Sequence, residues 1–360
     1  MALCLRRRRR RLLLFLLAAQ LLSPRAEYRL HCHRFRISDL RDDYEALHYF
    51  RLSIPALREL VVRLQLPQHF TTRSGFPTDA EEALLITLNR LAYPSRQLDQ
   101  FNGRFDRHPS EISEIWLRTC GLLYDLWRDR IMCYEDFFFL STGQVRECAE
   151  ASAHLSGYST ALVGVFIDGT TIPITRPGGR YSRQRAFFDG HHRTHAIKLL
   201  TLLAPSGLTV AVFGPWQGTM TDITAYNTAG IAEILRLLLA PVNAGHAPND
   251  RVCCLGDSAF PPSDVMLTLF PNGPGLTAAQ RHFNAAMSSL RVSIEHSFKD
   301  LKKLFAKLAF SPTLQVAKGQ IGIEALIATF FLNCRVCAHG TQTMSRFHVL
   351  PPTLDQYLHP

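Results

Sequence analysis

The sequence has little that would staple, repeat or anchor it. Nine cysteines are scattered through 360 residues. The number is odd and the spacing irregular, which argues against a secreted disulfide framework. One CxxC occurs, Cys334 and Cys337 in NCRVCAHG, with His339 nearby. A zinc site needs four ligands and no second CxxC supplies them, so these read as cysteines on a helix face. No internal repeat is present. Beyond the amino-terminal leader no segment reads as membrane-spanning. Acids are the scarcer charge, 30 Asp and Glu against 40 Lys and Arg, giving a net charge of +10 and a pI near 9.3. That balance favours a polyanionic partner, nucleic acid or an anionic membrane surface, over the plainer reading of solubility.

What is there is enough to fold. At 47% hydrophobic and 10% aromatic the chain can bury a core and is not disordered overall. Its length fits one large or two medium domains. Residues 1–27 form a leader with six arginines, Arg6 to Arg11, followed by an apolar run from Leu12 to Leu22. That is the order of a secretory signal, too short for a comfortable membrane span. It is equally the order of a basic nuclear-targeting or DNA-contacting arm ahead of a packed helix.

Residues 28–156 read as helical. ISDLRDDYEALHYF and SIPALRELVVRL carry apolar residues at helical spacing. Asp79 is a candidate cap for DAEEALLITLNRLA, and Pro94 ends that helix. A short helix around RQLDQFNGRF, a turn at Gly103, and HPSEISEIWLRTCGLLYDLW follow. In the last of these Ile112, Ile115, Trp116, Cys120 and Leu123 share a side. The outline is that of a helix-turn-helix, though any three-helix bundle shares it. Arg96, Arg104, Arg107 and Arg118 are its candidate phosphate contacts.

Residues 157–340 change character. ALVGVFIDGTTIPI, HAIKLLTLLA and LTVAVFGPW are β-rich runs, the last two joined by a turn at Pro205-Ser206-Gly207. A helix (DITAYNTAGIAEILRLLLA), a strand (RVCCLGDSAF) and a long helical stretch (AQRHFNAAMSSLRVSIEHSFKDLKKLFAKLAF) follow, giving a mixed α/β domain. Residues 341–360 read as an irregular tail.

Four acids stand out by position. Asp168 interrupts an apolar strand, where a lone carboxylate is costly unless it pairs or binds metal. Asp257 ends the apolar VCCL run. Asp222 stands at a helix start, where a helix cap is the alternative role. Glu295 lies beside the stripe Ile294, Phe298, Leu301, Phe305, Leu308, which should pack on the sheet. Its alternative is an exposed i, i+4 pair with Lys299. Aspartates on neighbouring strands repel unless a cation is present, and magnesium or manganese suits oxygen ligands. Asp257 lies 89 residues after Asp168, and Glu295 a further 38. Strand aspartate, later strand aspartate, helix glutamate is the order of an RNase H-like nuclease site. Arg291, Lys299 and Lys302 share the side of Glu295 and could approach phosphates. His191, His192 and His195 in GHHRTH enter a strand from a loop, poor geometry for zinc, and read as DNA-facing or structural. Arg193 and Lys198 are further phosphate candidates, while Asp189 and Asp264 read as surface acids.

The blocks DGTTIPI, GHHRTHAIKLLTLLAPSGL, GPWQGTMTDITAY, LGDSAFPP and RHFNAAMSSLRVSIEHSFKDLKKLF together resemble the PIF/Harbinger-type DDE transposases and their domesticated relatives, from about Val163 to Phe310. The resemblance implies an α/β, RNase H-like mixed sheet with flanking helices, preceded by the helical, helix-turn-helix-like region. It implies Mg2+ or Mn2+, and DNA strand cleavage and joining by two-metal chemistry. Asp168, Asp257 and Glu295 would be the catalytic triad and Asp222 a fourth metal ligand. It further implies DNA as partner, a homo-oligomer, and in many members a separate Myb-like DNA-binding protein. With it the arginine run reads as nuclear targeting; a secretory pathway destination is the alternative. No membrane is implied. Thr221 stands where histidine is common in the family and Phe260 where tyrosine is, without removing an acid. The alternative function is a domesticated DNA-binding or scaffold protein without turnover.

Overall fold

The computed structural model describes residues 34–94, 104–132, 140–159, 162–179, 181–271, 273–309, 312, 314–316 and 319–358. The leader, Arg96 and Gly103 lie outside the described residues.

The amino-terminal part is helical: α1 (Asp43–Phe50), α2 (Ile54–Arg63), α3 (Ala80–Ala92), α4 (Pro109–Met132) and α5 (Thr142–Ser156). Asp42 caps α1 and Asp79 caps α3, each accepting from the backbone N–H three residues on. Ser141 and Gln144 close a capping box on α5. Residues 64–79 add a hairpin not evident in the sequence, β1 (His69–Thr71) with β2 (Pro77–Asp79). In α4, Ile112, Ile115, Trp116, Cys120 and Leu123 are all buried, and the helix packs on α3.

Two arginines expected to face DNA are used inside the protein instead. Arg107 is buried, its guanidinium on both oxygens of Glu82 at 2.6 and 2.8 Å and on the Pro77 carbonyl. Arg104 lies 3.4 Å over the Tyr49 ring and 3.5 Å from Glu45. A fully buried glutamate leaves its partner little choice, because removing either charge strands the other. Arg118 is exposed.

The second part is a mixed sheet. Its strands are β3 (Val163–Pro173), β4 (Phe188–Asp189), β5 (Thr194–Leu203), β6 (Thr209–Gln217), β7 (Cys253–Gly256) and β8 (Met266–Thr268). β3 is central, antiparallel to β5 on one side and parallel to β7 on the other. β5 also pairs antiparallel with β4 and β6, and β7 runs parallel to β8. The expected β5–β6 turn forms at residues 204–208. A short helix α6 (Tyr181–Ala186) precedes β4; α7 (Asp222–Thr228) and α8 (Ile231–Asn243) lie between β6 and β7. The long helix α9 (Ala278–Leu304), opened by a Thr277–Gln280 capping box, packs over β3 and β7. Its stripe meets the core as expected, although the helix ends at Leu304 and Leu308 sits in a 3-10 turn.

The segment expected to be an irregular tail is structured. After α10 (Ile321–His339), α11 (Gln342–Phe347) and α12 (Leu354–Leu358) pack inward, with Phe347, Leu354, Tyr357 and Leu358 buried. Thr341 caps α11, and Asn333 donates to the Tyr357 hydroxyl at 3.1 Å. Two helical turns with apolar residues on one side suffice once a groove is present. Among the described residues α10 alone is long and apolar enough to cross a membrane. It lies largely buried, with Phe330 against Trp127 of α4 at 5.4 Å. One buried apolar cluster runs from Ile37 to Leu358, joining the helical part to the sheet.

Glu82→Ala strands a buried Arg107, and the unfolding free energy is expected to fall by about 3–5 kcal/mol. Arg118→Ala, on the surface, should change it by less than about 0.5 kcal/mol. Denaturant titration reads both.

Candidate active site

The site begins with the parallel register of β3 and β7. Phe166 pairs with Leu255, so continuing both strands two residues brings Asp168 level with Asp257. Asp168 faces Thr201 of β5 across the other edge. Asp257 turns off β7 immediately and accepts the Ala259 N–H at 2.9 Å. Phe260 then folds back against Tyr226 of α7, ring centroids 5.6 Å apart. This is possible because residue 256 is glycine: a Cβ there would stand 2.7 Å from the Phe260 ring. The GDSAF stretch therefore ties the Asp257 turn to the helix that carries Asp222.

Asp222 is not the cap of that helix. Thr221 is, its hydroxyl accepting from the Thr224 N–H. Asp222 is the first residue inside α7, and its carboxylate presses against the backbone of Gly169. A Cβ at Gly169 would lie 2.5 Å from Asp222 Oδ1. Aspartate followed by glycine on β3 thus lets one acid sit on the strand beside another.

Glu295 arrives from α9. It is exposed and forms no ion pair with Lys299 among the described residues. Asp168, Asp222 and Glu295 line a common cavity of about 660 Å³, together with Lys198, Lys299 and Lys302. Asp257 does not line that cavity; it stands beside it, close enough to act electrostatically on Asp168.

Burial pushes the Asp168 carboxyl up to about 6, with Asp257 and Asp222 adding to the rise, against the opposing pull of Arg291 and the Gly169 N–H. Desolvation and neighbouring like charge both disfavour the carboxylate form. Two cations compensate in part: Arg291 of α9 lies 3.4 Å from Asp168, and Lys198 of β5 lies 3.2 Å from Asp222. Burial lowers the Lys302 ammonium. Arg193, in the turn before β5, is exposed and does not line the cavity.

Four carboxylates without soft ligands suit a hard divalent cation, and a destabilised Asp168 is the group such a cation would relieve. Among the described residues, no three His, Cys, Asp or Glu stand close enough to hold a metal ion as placed. Cys334 is buried and Cys337 half-buried on α10; burial raises both thiols, Cys337 to about 12. His339 accepts the Ser53 N–H through Nε2. These groups serve packing.

The sequence reading misplaced one wall residue. Asp189, expected on the surface, is buried and lines the cavity with His191 and His192. The signal was available: an aspartate ahead of Gly-His-His can accept backbone N–H groups two and three residues on. Asp264 is a surface acid as expected, paired with Arg236 at 2.9 Å. His195 stacks edge-on against Phe188.

Residues 167–333 match the family described as DDE superfamily endonuclease. That span takes in Asp168, Asp222, Asp257 and Glu295. The chain is also similar to a protein of Microchaete diplosiphon described as a probable transposase for insertion sequence element IS702, 24% identical over 140 residues. The similarity covers 38% of this chain and 46% of that protein, so the chain spans less than half of that relative's length. No solved structure matches.

Asp168 supplies a stability test. Its carboxyl titrates at about 6 in the folded protein, against about 3.9 for an unperturbed aspartate. The folded state therefore holds the proton more tightly. That contribution is complete below about pH 4 and is lost as pH rises through about 6, up to about 3 kcal/mol. Asp168→Asn removes the loss. In EDTA its melting temperature should gain on the wild type progressively between about pH 4 and about pH 6.5; a gap independent of pH would contradict the burial cost.

Proposed function

We propose that this protein is a metal-dependent DNA-cleaving and strand-joining enzyme of the PIF/Harbinger transposase type. The observation that carries the reading is that Asp168 of β3, Asp222 at the start of α7 and Glu295 of α9 line one cavity, with Asp257 at the end of β7 beside it. The match of residues 167–333 to DDE superfamily endonucleases supports it. So does the sheet, whose order β6-β5-β3-β7-β8, with three antiparallel strands followed by two parallel to the first, has the arrangement of an RNase H-like fold.

Asp168, Asp257 and Glu295, with Asp222 as a fourth ligand, would hold magnesium or manganese. Such a metal pair would supply activation of a water or a 3′-hydroxyl and stabilisation of the leaving oxygen in attack on a phosphodiester. The chain's own contributions are legible beside this. Gly169 lets Asp222 approach the strand. Arg291 and Lys198 balance Asp168 and Asp222 in part. With Lys299, Lys302 and, outside the cavity, Arg193, they offer positive charge to backbone phosphates. The +10 net charge adds affinity that should fall with salt. A nuclear location, a homo-oligomer joining two DNA ends, and a separate Myb-like specificity protein belong to the same reading.

One observation favours a second reading, a transposase-derived DNA-binding protein without turnover. Arg291 and Lys198 give two of the four acids protein counter-ions, so part of the charge is balanced by the protein alone.

The two readings separate on labelled DNA carrying candidate element ends, with magnesium or manganese. The enzyme should cut it, and Asp168→Asn, Asp257→Asn and Glu295→Gln should each reduce cutting at least about 100-fold, since even outer-shell changes cost about 10–100-fold. Gly169→Ala, which displaces Asp222, should cost about 10-fold or more on the same scale. Binding without metal-dependent cutting by wild type or variants would favour the scaffold.

A further inference from the structure

The turn between β4 and β5 is organised by one buried carboxylate. The Asp189 side chain is 6% exposed. Its Oδ1 accepts the backbone N–H groups of His191 at 2.9 Å and His192 at 3.2 Å. Its Oδ2 stands 2.8 Å from His192 Nδ1. An ionised carboxylate only accepts, so Nδ1 carries a proton and the imidazole presents Nε2 as its outward edge. Burial opposes the Asp189 anion, but the bonds from His192 and the two amides outweigh it and hold the carboxyl below its usual range. With both oxygens engaged inside the turn, Asp189 has a different task from the cavity's other acids.

His192 itself is half exposed and lines the cavity beside Asp168 and Glu295. Its ring stands edge-on to His191, centroids 4.9 Å apart. The charges facing it are mixed. Asp168, Asp222 and Glu295 repel a phosphate, Lys198 is engaged by Asp222, and Lys299 and Lys302 come from α9. A protonated imidazole donates well to a phosphate oxygen.

We propose that His192, oriented by Asp189, is a phosphate ligand for the DNA strand that enters the carboxylate cavity. His192 makes the contact as the imidazolium, through Nε2–H, and Asp189 is its positioning residue. The proposal rests on the reading that DNA occupies this cavity, and it adds a pH-dependent contact from the β4–β5 turn.

The test is equilibrium binding of a fluorescein-labelled DNA duplex of arbitrary sequence to the full-length protein in EDTA. A sodium chloride series is run at about pH 5.5 and about pH 8, spanning the window in which histidine changes charge. At the lower pH, His192→Gln is expected to reduce the slope of log affinity against log salt by about 0.9, one phosphate contact. The two proteins should converge at the higher pH. Asp168 titrates in the same window in both, so the difference between proteins is what is read. Asp189→Asn keeps an acceptor oxygen for the two amides but turns an N–H toward Nδ1 and withdraws the anion behind the ring. It should show the same loss at the lower pH and none at the higher. Circular dichroism and an unchanged melting temperature identify folded variants. DNA bound with coincident slopes at the lower pH, by either folded variant and wild type, would overturn the contact while leaving the nuclease reading intact. No DNA binding by the wild type at either pH would overturn both.

Discussion

The molecule accommodates a carboxylate in the middle of its central strand. β3 is buried from Val163 to Ile167, and its next residue is Asp168. An unpaired charge there is expensive, and the raised carboxyl of Asp168 expresses that cost. The surroundings follow from it. Gly169 yields space to a second acid when a bulkier residue would have pushed it away. Arg291 reaches Asp168 from α9, so the helix that delivers Glu295 also delivers the first counter-ion. Gly256 admits the Phe260 ring and so couples the turn after Asp257 to the helix bearing Asp222. Burial and the neighbouring acids together make the Asp168 carboxylate costly to hold.

Much of this arrangement was legible in the sequence because it is set by short-range pattern. An aspartate inside a run of β-branched residues, followed by glycine, announces both the strand and the anomaly. The stripe on α9 fixed which side of Glu295 faces the sheet. What the pattern could not carry was context. Arg104 and Arg107 look like phosphate contacts until Glu45 and Glu82 are seen opposite them. The last turns of the chain look irregular because α11 and α12 are too short to show a period, yet the groove beside α10 selects helix for them. Strand β8 spans three residues, too few to announce itself by alternation.

Asp222 shows how local rules compete. A helix start with two adjacent candidates, Thr221 and Asp222, needs one cap. The threonine hydroxyl takes the N–H of Thr224, which leaves the aspartate's charge free for the strand below it. Thr221 therefore gives the helix a working terminus without consuming the acid.

The basic excess of the chain is not spread evenly over its tasks. Arg36 holds Asp79, Arg107 holds Glu82, Lys307 holds Glu324 and Arg236 holds Asp264. In each case the cation's partner is an acid with a structural position, a helix cap, a core contact or a surface clasp. Asp189 is satisfied differently, by two amides and a histidine. Set against these, the acids around β3 are undersupplied: Asp168 has one arginine at 3.4 Å for a buried charge, and Glu295 lines the cavity without an ion pair to its neighbour Lys299. That difference in compensation separates carboxylates that finish the fold from those that leave it unfinished. It marks Asp168 as a candidate functional acid by an electrostatic argument independent of residue order along the chain.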